Sequence, residues 1–156
     1  MNLAMNLRRA LVVVISLGLP AFTLAANDTW MSDLDAAKTK AAKEHRPLLL
    51  EFTGSKWCGP CIALHADVLT KPEFAAFSRD FVLVALDYPT LAERAPEKVR
   101  ANPELARLMA IKEKYEAPGF PTVILFDAGG KQVAKIVGYR GEGPKTYLAK
   151  LSPPAK

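Results

Sequence analysis

The chain has 156 residues, of which 50% are hydrophobic, 24% charged and 8% aromatic, a composition that excludes a disordered or fibrous protein and fits one globular domain. Its formal net charge of +5 rests on scattered lysines: Lys38, Lys40 and Lys43 fall on an early helix, and Lys112 and Lys114 alternate with acids. No basic run with interleaved aromatics marks a nucleic-acid groove, so nucleic acid is not an expected partner.

At the amino end, Arg8 and Arg9 precede an apolar run over residues 10–19, and small residues follow before polarity returns at Asn27. Positive, then apolar, then small is the order of a secretory signal peptide, here residues 1–26, which leaves a domain over 27–156. The apolar run is shorter than the roughly 20 residues of a membrane span. Export to a periplasmic or secreted location is therefore expected, with an uncleaved amino-terminal anchor as the alternative. The arginine pair by itself is a poor match to a twin-arginine signal. Without residues 1–26 the net charge falls to +3.

In the expected domain, Ser32 is placed to cap a helix whose apolar positions Leu34, Ala37, Ala41 and Ala42 recur at helical spacing, with Pro47 as its stop. The run Leu48-Leu49-Leu50-Glu51-Phe52 has the length and near-continuous apolarity of a strand covered on both faces. Gly54 and Ser55 turn the chain into Trp57-Cys58-Gly59-Pro60-Cys61, after which Ile62, Leu64, Val68 and Leu69 predict a helix over 59–69. Thr70-Lys71-Pro72-Glu73 signals a fresh helix start with Thr70 as cap.

A second buried strand is predicted over 81–86. The segment 88–102 is broken by Pro89 and Pro96 and holds a short charged helix over 92–100. A firmer helix over 103–115 carries Leu105, Leu108, Met109 and Ile111 on one side. Pro121 opens a strand over 122–126, Asp127-Ala128-Gly129-Gly130 makes a hairpin turn into 131–137, and a helix over 143–151 closes the domain. The order β-α-β-α-β-β-α predicts an α/β fold with a mixed central sheet flanked by helices on both faces.

The chemistry is concentrated in the two cysteines. Cys58 and Cys61 enclose only Gly59 and Pro60, so a bridge between them closes too short a loop to stabilise the fold by chain entropy. Two thiols are half of a structural zinc site, with only His45 and His65 left to complete it. Thiol-disulfide exchange needs an attacking thiolate and a second thiol to resolve the mixed disulfide, and two cysteines at the first turn of a helix supply both. At that helix start the amides and the helix dipole lower the pKa of Cys58, which makes it the nucleophile and Cys61 the more buried resolving thiol. Pro60 is tolerated in the first turn, and Trp57 offers a flat apolar surface to a substrate chain.

Trp57-Cys58-Gly59-Pro60-Cys61 is identical to the active-site motif of thioredoxins, and three further stretches agree in order. Glu51-Phe52 resembles the acid-aromatic pair of thioredoxins and protein disulfide isomerases. Gly119-Phe120-Pro121-Thr122 resembles their cis-proline loop, and Val137-Gly138 their late glycine turn. The likeness spans about residues 30–151. The stretch from Cys58 through Thr-Lys-Pro-Glu-Phe is similar to the exported thioredoxin-like group that includes the carboxy-terminal domain of the transmembrane disulfide reductase.

The resemblance implies a thioredoxin fold, a redox-active Cys58-Cys61 disulfide, and a Phe120-Pro121 cis peptide facing the pair. It implies a substrate-binding surface of Trp57, Gly59, Pro60, Phe120 and Pro121, and it makes Glu51 the buried acid that takes the proton of Cys61. No cofactor or metal is implied. Two departures stand out: one extra residue separates Glu51 from Cys58, and Leu83 replaces the lysine that partners the acid in thioredoxin, which leaves Glu51 more often neutral.

Gly59-Pro60 resembles the reducing thioredoxins rather than the isomerases and oxidases that carry a histidine before the second cysteine. The expectation is an exported, monomeric dithiol oxidoreductase that acts on protein thiols and disulfides in the reducing direction and is fed by a membrane electron donor. The alternatives are the oxidase or isomerase direction, a binding or chaperone module in which the cysteines are incidental, and copper or zinc carriage by the two thiolates.

Overall fold

The computed structural model describes residues 30–152, so the signal-peptide reading of 1–26 lies outside the described residues. In chain order the elements are α1 (Leu34–Glu44), β1 (Leu48–Thr53), α2 (Gly59–Leu64) continued by a π-helical turn (His65–Leu69), α3 (Pro72–Phe77), β2 (Val82–Asp87), a 3-10 turn (Ala92–Arg94), α4 (Pro96–Ala101), α5 (Pro103–Lys114), β3 (Thr122–Phe126), β4 (Gln132–Val137) and α6 (Gly143–Leu151).

The strands form one mixed sheet in the order β2-β1-β3-β4. All six residues of β1 are buried, as expected of a strand with neighbours on both sides and helices on both faces. β2 runs parallel to it, pairing Leu48 with Val82 through Thr53 with Asp87. β3 runs antiparallel, pairing Leu48 with Phe126 through Phe52 with Thr122. At the outer edge of β2 the backbone of Met31 adds a single bridge, its N–H donating to the Leu83 carbonyl and its carbonyl accepting from Ala85.

Because side chains alternate along a strand, β1 feeds two cores. Leu48, Leu50 and Phe52 join Val82, Val84, Leu86 and Ile124 under α1, with Leu108, Met109 and Ile111 of α5 packed against them. Leu49 joins Leu83, Val123 and Leu125 on the opposite face, beneath Leu64, Val68, Phe74, Tyr147 and Leu151 of the other helices. Glu51 and Thr53, two and four residues after Leu49, point to this second face.

The elements match the order expected from the sequence, but their ends differ. Asp33 rather than Ser32 caps α1, accepting from the Ala36 N–H at 2.9 Å. The buried stripe of α1 is Leu34, Ala37 and Ala41, which turns Ala42 to solvent. The helix stops before Pro47 because His45 takes a left-handed conformation, φ 52°, and returns its N–H to the last turn. Thr70 does not cap α3: its hydroxyl donates to the carbonyls of His65 and Ala66 and closes the π-helical turn behind it. The charged helix of 92–100 is two pieces, since Ala95 is extended at ψ 144° before Pro96, the conformation a following proline favours.

Leu50 is fully buried and pairs with Val84 on one side and Ile124 on the other. Leu50→Ala leaves a cavity in the middle of the sheet and is expected to lower unfolding stability by about 2–5 kcal/mol in urea titrations.

Candidate active site

Sheet topology brings three loops to one end of the molecule. β1 and β2 are parallel and both finish there, at Thr53 and Asp87, while antiparallel β3 begins there, with Thr122 opposite Phe52. The turn carrying the cysteines, the segment that starts at Tyr88, and the loop ending in Pro121 therefore converge.

The first loop is a tight turn. The N–H groups of Trp57 and Cys58 both donate to the Gly54 carbonyl, at 3.1 and 2.9 Å. A Cβ at residue 54 would stand 2.5–2.8 Å from the Trp57 indole, so only glycine lets the ring fold back over the turn. Asp87, one step beyond the last residues of the β2 core, ties the turn down: its carboxylate accepts from the Ser55 N–H at 2.8 Å and the Ser55 hydroxyl at 2.6 Å.

Cys58 is the N-cap of α2. Its sulfur accepts from the Cys61 N–H at 3.3 Å, and its carbonyl accepts from Cys61 and Ile62. Pro60 lies in the first turn of that helix. The two sulfurs are bonded, with the Cα atoms 5.2 Å apart. Cys58 is 6% exposed and Cys61 1%, so the more accessible residue of the two is the one at the helix start. Gly59 and Pro60 beside them are exposed. The Phe120–Pro121 peptide bond is cis, and Pro121 is buried at the head of β3 while Phe120 is partly exposed.

Trp57 is 37% exposed, yet it is held on three sides. Its indole N–H donates to the Tyr88 carbonyl at 2.7 Å, its ring meets Phe120 edge to face at 5.6 Å, and the Arg94 guanidinium lies 5.2 Å from its centre. Phe120 also packs against Tyr88 at 5.0 Å. The sequence places Trp57 and Phe120 on one expected substrate surface, and the structure brings the two rings together; Tyr88 and Arg94, which join them, are not legible in the sequence because the proline-broken segment 88–102 carries no periodic pattern.

Behind the disulfide a cleft of about 520 Å³ is lined by Glu51, Thr53, Cys61, Ile62, His65, Asp87 and Trp30, among others. Glu51 is 4% exposed, so the extra residue before Cys58 is absorbed in the turn and leaves the acid on the inner face. Burial, with a further contribution from the nearby Asp87 charge, pushes its carboxyl up to about 7 against the pull of the Thr53 hydroxyl. Leu83 packs in the core of the same face.

Ile62 lies 49% exposed on the cleft rim rather than buried, because the buried side of the helix runs through Cys61, Leu64 and Val68. His65 is exposed as expected, but it shares the cleft with Cys61. Trp30 stacks on Phe74 at 6.1 Å, nearly parallel, and forms the far wall. Among the described residues no group of three or more His, Cys, Asp or Glu is arranged to hold a metal ion.

A cysteine pair closed across one helical turn, a cis-proline loop and a buried acid on the same cleft as the second cysteine define a thioredoxin-type site. The chain belongs to the thioredoxin-like family, whose model, described as "Thioredoxin-like", matches residues 29–128. Within that family it is similar to the disulfide bond reductase DsbH of Chlamydia pneumoniae, with 34% identity over 128 residues, 81% of this chain and 72% of that protein. A solved structure titled "DsbH Oxidoreductase" superposes with a TM-score of 0.62 at 30% identity, covering 86% of this chain and 88% of the other. The oxidised carboxy-terminal domain of Neisseria meningitidis DsbD, 23% identical with a TM-score of 0.56 over 78% of this chain and 95% of that one, shares the fold. The chemistry of the chain is that of a thiol-disulfide oxidoreductase.

Because the folded chain favours protonated Glu51, the carboxyl lowers stability as pH rises from its ordinary value of 4.5 through about 7. At about 1.4 kcal/mol per pH unit the loss is roughly 3 kcal/mol. Glu51→Gln removes this titration. Denaturant melts of parent and variant are expected to keep a constant difference below about pH 4.5 and to diverge in favour of the variant up to about pH 7; parallel curves across that window would refute the buried, uphill acid.

Proposed function

We propose that this chain is an exported, monomeric protein-disulfide reductase that cycles through a mixed disulfide on Cys58. The observation that carries the reading is the unequal setting of the two cysteines: Cys58, 6% exposed, caps the helix start, and Cys61, 1% exposed, lies one turn further in on a cleft shared with Glu51.

In the reduced enzyme the Cys58 thiolate is favoured by the amides at the helix start. It attacks one sulfur of a substrate disulfide; a new S–S bond forms and the other substrate sulfur leaves as a thiolate. Glu51 as carboxylate then takes the proton of Cys61. The Cys61 thiolate attacks the Cys58 sulfur, expels the second substrate sulfur and restores the Cys58–Cys61 disulfide. Two electrons have passed to the substrate. A carboxyl that titrates near 7 suits this role, since it both accepts and releases the proton near neutrality. Trp57, Gly59, Pro60, Phe120 and Pro121 form the surface over which the substrate chain lies.

Three features support the reducing direction: Gly59-Pro60 between the cysteines, no histidine before Cys61, and likeness to a protein named a disulfide bond reductase. Export is supported by the positive, apolar and small residues of 1–26. An exported reductase must be reduced again from across a membrane, so its electron donor is proposed to be a membrane dithiol protein.

Insulin reduction by dithiothreitol separates this reading from a binding module. The parent is expected to accelerate it, Cys58→Ser to abolish the acceleration, and Cys61→Ser to accumulate a mixed disulfide visible on a non-reducing gel. A Cys58→Ser protein that kept its cellular effect would sink the enzyme reading. Equilibration with a glutathione or dithiothreitol couple is expected to place the pair near the thioredoxin value of about −270 mV; a value near the −120 mV or so of a strong oxidant would reverse the direction.

A further inference from the structure

Segment 88–102 places a cation where the aromatic pair of the site meets. Arg94 is anchored by its own loop, Nε donating to the Pro89 carbonyl at 2.8 Å and, more weakly, to Thr90 at 3.4 Å. Its guanidinium carbon stands 5.2 Å from the centres of both Trp57 and Phe120, in the angle between two rings that meet edge to face. A second cation arrives from α5: Lys112 Nζ is 5.5 Å from the centre of the same Phe120 ring. Burial and the charge of Arg94 both hold the Lys112 ammonium below its ordinary pKa, so the two cations feel one another.

Nearby acids do not neutralise them. Glu93 turns its carboxylate back to the N–H and hydroxyl of Thr90, at 2.9 and 2.7 Å, and Asp87 is engaged by Ser55. Among the described residues no carboxylate forms an ion pair with Arg94 or Lys112. Two cations thus share one ring, each partly exposed, beside the residue that precedes Cys58 and the residue that precedes Pro121. Charge gathered this way without a carboxylate partner is a field aimed at an anion.

Resting on the reductase reading above, we propose that Arg94 and Lys112 form a cationic clamp on Phe120 that selects substrate segments bearing a carboxylate beside the reacting cysteine. The substrate is an extended, acidic stretch of an oxidised protein. Its backbone passes the Phe120–Pro121 loop while an Asp or Glu near its cysteine meets the guanidinium and the ammonium. Arg94 is then a specificity residue and takes no part in electron transfer.

The test uses the full-length reduced protein and three disulfide-linked peptides that differ only in the residues flanking the cysteine: Glu, Gln or Lys. Second-order rate constants come from stopped-flow fluorescence. At about 10 mM salt the Glu peptide is expected to react at least about tenfold faster than the Lys peptide. In about 1 M KCl, where charges are screened beyond roughly 3 Å, the ratio should collapse toward one. The double substitution Arg94→Gln, Lys112→Gln should bring the ratio within about twofold of one at low salt. Arg94→Lys, which keeps the charge, should retain most of it, and that rescue separates a charge effect from loss of the loop's packing. Equal rates for the Glu and Lys peptides, with the Gln peptide reduced normally, overturn the clamp alone. So does a preference that persists in the double variant. Failure to reduce any of the three overturns the clamp and the reductase reading together.

Discussion

The site depends on where β1 lies in the sheet. A strand with a parallel neighbour on one side and an antiparallel neighbour on the other collects two strand ends and one strand beginning at a single edge. The three loops that leave that edge have no choice but to meet. The hydrophobic run that makes β1 central is thus the cause of the geometry around the sulfurs, although no residue of Leu48, Leu49 or Leu50 comes near them in function. Burial on both faces fixes the register, and a slip of one residue would exchange Glu51 for Leu50 on the cleft side.

That same burial makes Glu51 costly and useful at once. A carboxyl in the middle of an apolar strand resists ionisation, and a resisting acid is one that can give up and regain a proton near neutral pH. Thioredoxins are implied to hold a lysine near the equivalent acid. Leu83, which the resemblance puts in place of that lysine, packs in the core opposite Leu49, and the charge that acts on Glu51 is the like-signed Asp87, itself fastened to Ser55. The anchor of the cysteine turn and the tuning of the acid are therefore one carboxylate acting in two directions.

Much of this was legible from residue order. The strands and most helices follow from apolar runs and their period, and the Trp-Cys-Gly-Pro-Cys motif with Pro121 located the site. What could not be read were features set by tertiary contact. Thr70 carries a cap signal but spends its hydroxyl on the turn behind it. Ile62 is apolar but falls outside the stripe of Cys61, Leu64 and Val68. Arg94 and Tyr88 sit in a segment without periodicity, and only the parallel pairing of β1 with β2 reveals that it opens beside Trp57. Glu51 was legible as a buried acid held toward its neutral form; the like-signed charge of Asp87 that adds to this was not, because that needs the neighbour on the next strand.

Met31 has a consequence for association. Its N–H and carbonyl both engage β2, at Leu83 and Ala85, so the outer margin of that strand already has a backbone partner. A passing extended chain finds the ladder capped at its midpoint and cannot extend the sheet there. On the opposite margin β4 carries Lys135, whose ammonium donates to the carbonyls of Tyr115 and Glu116. With Met31 in place, strand addition is discouraged at the middle of the β2 margin, which leaves the loops beside the cysteines, rather than the β2 edge of the sheet, as the place to meet a thiol- or disulfide-bearing protein.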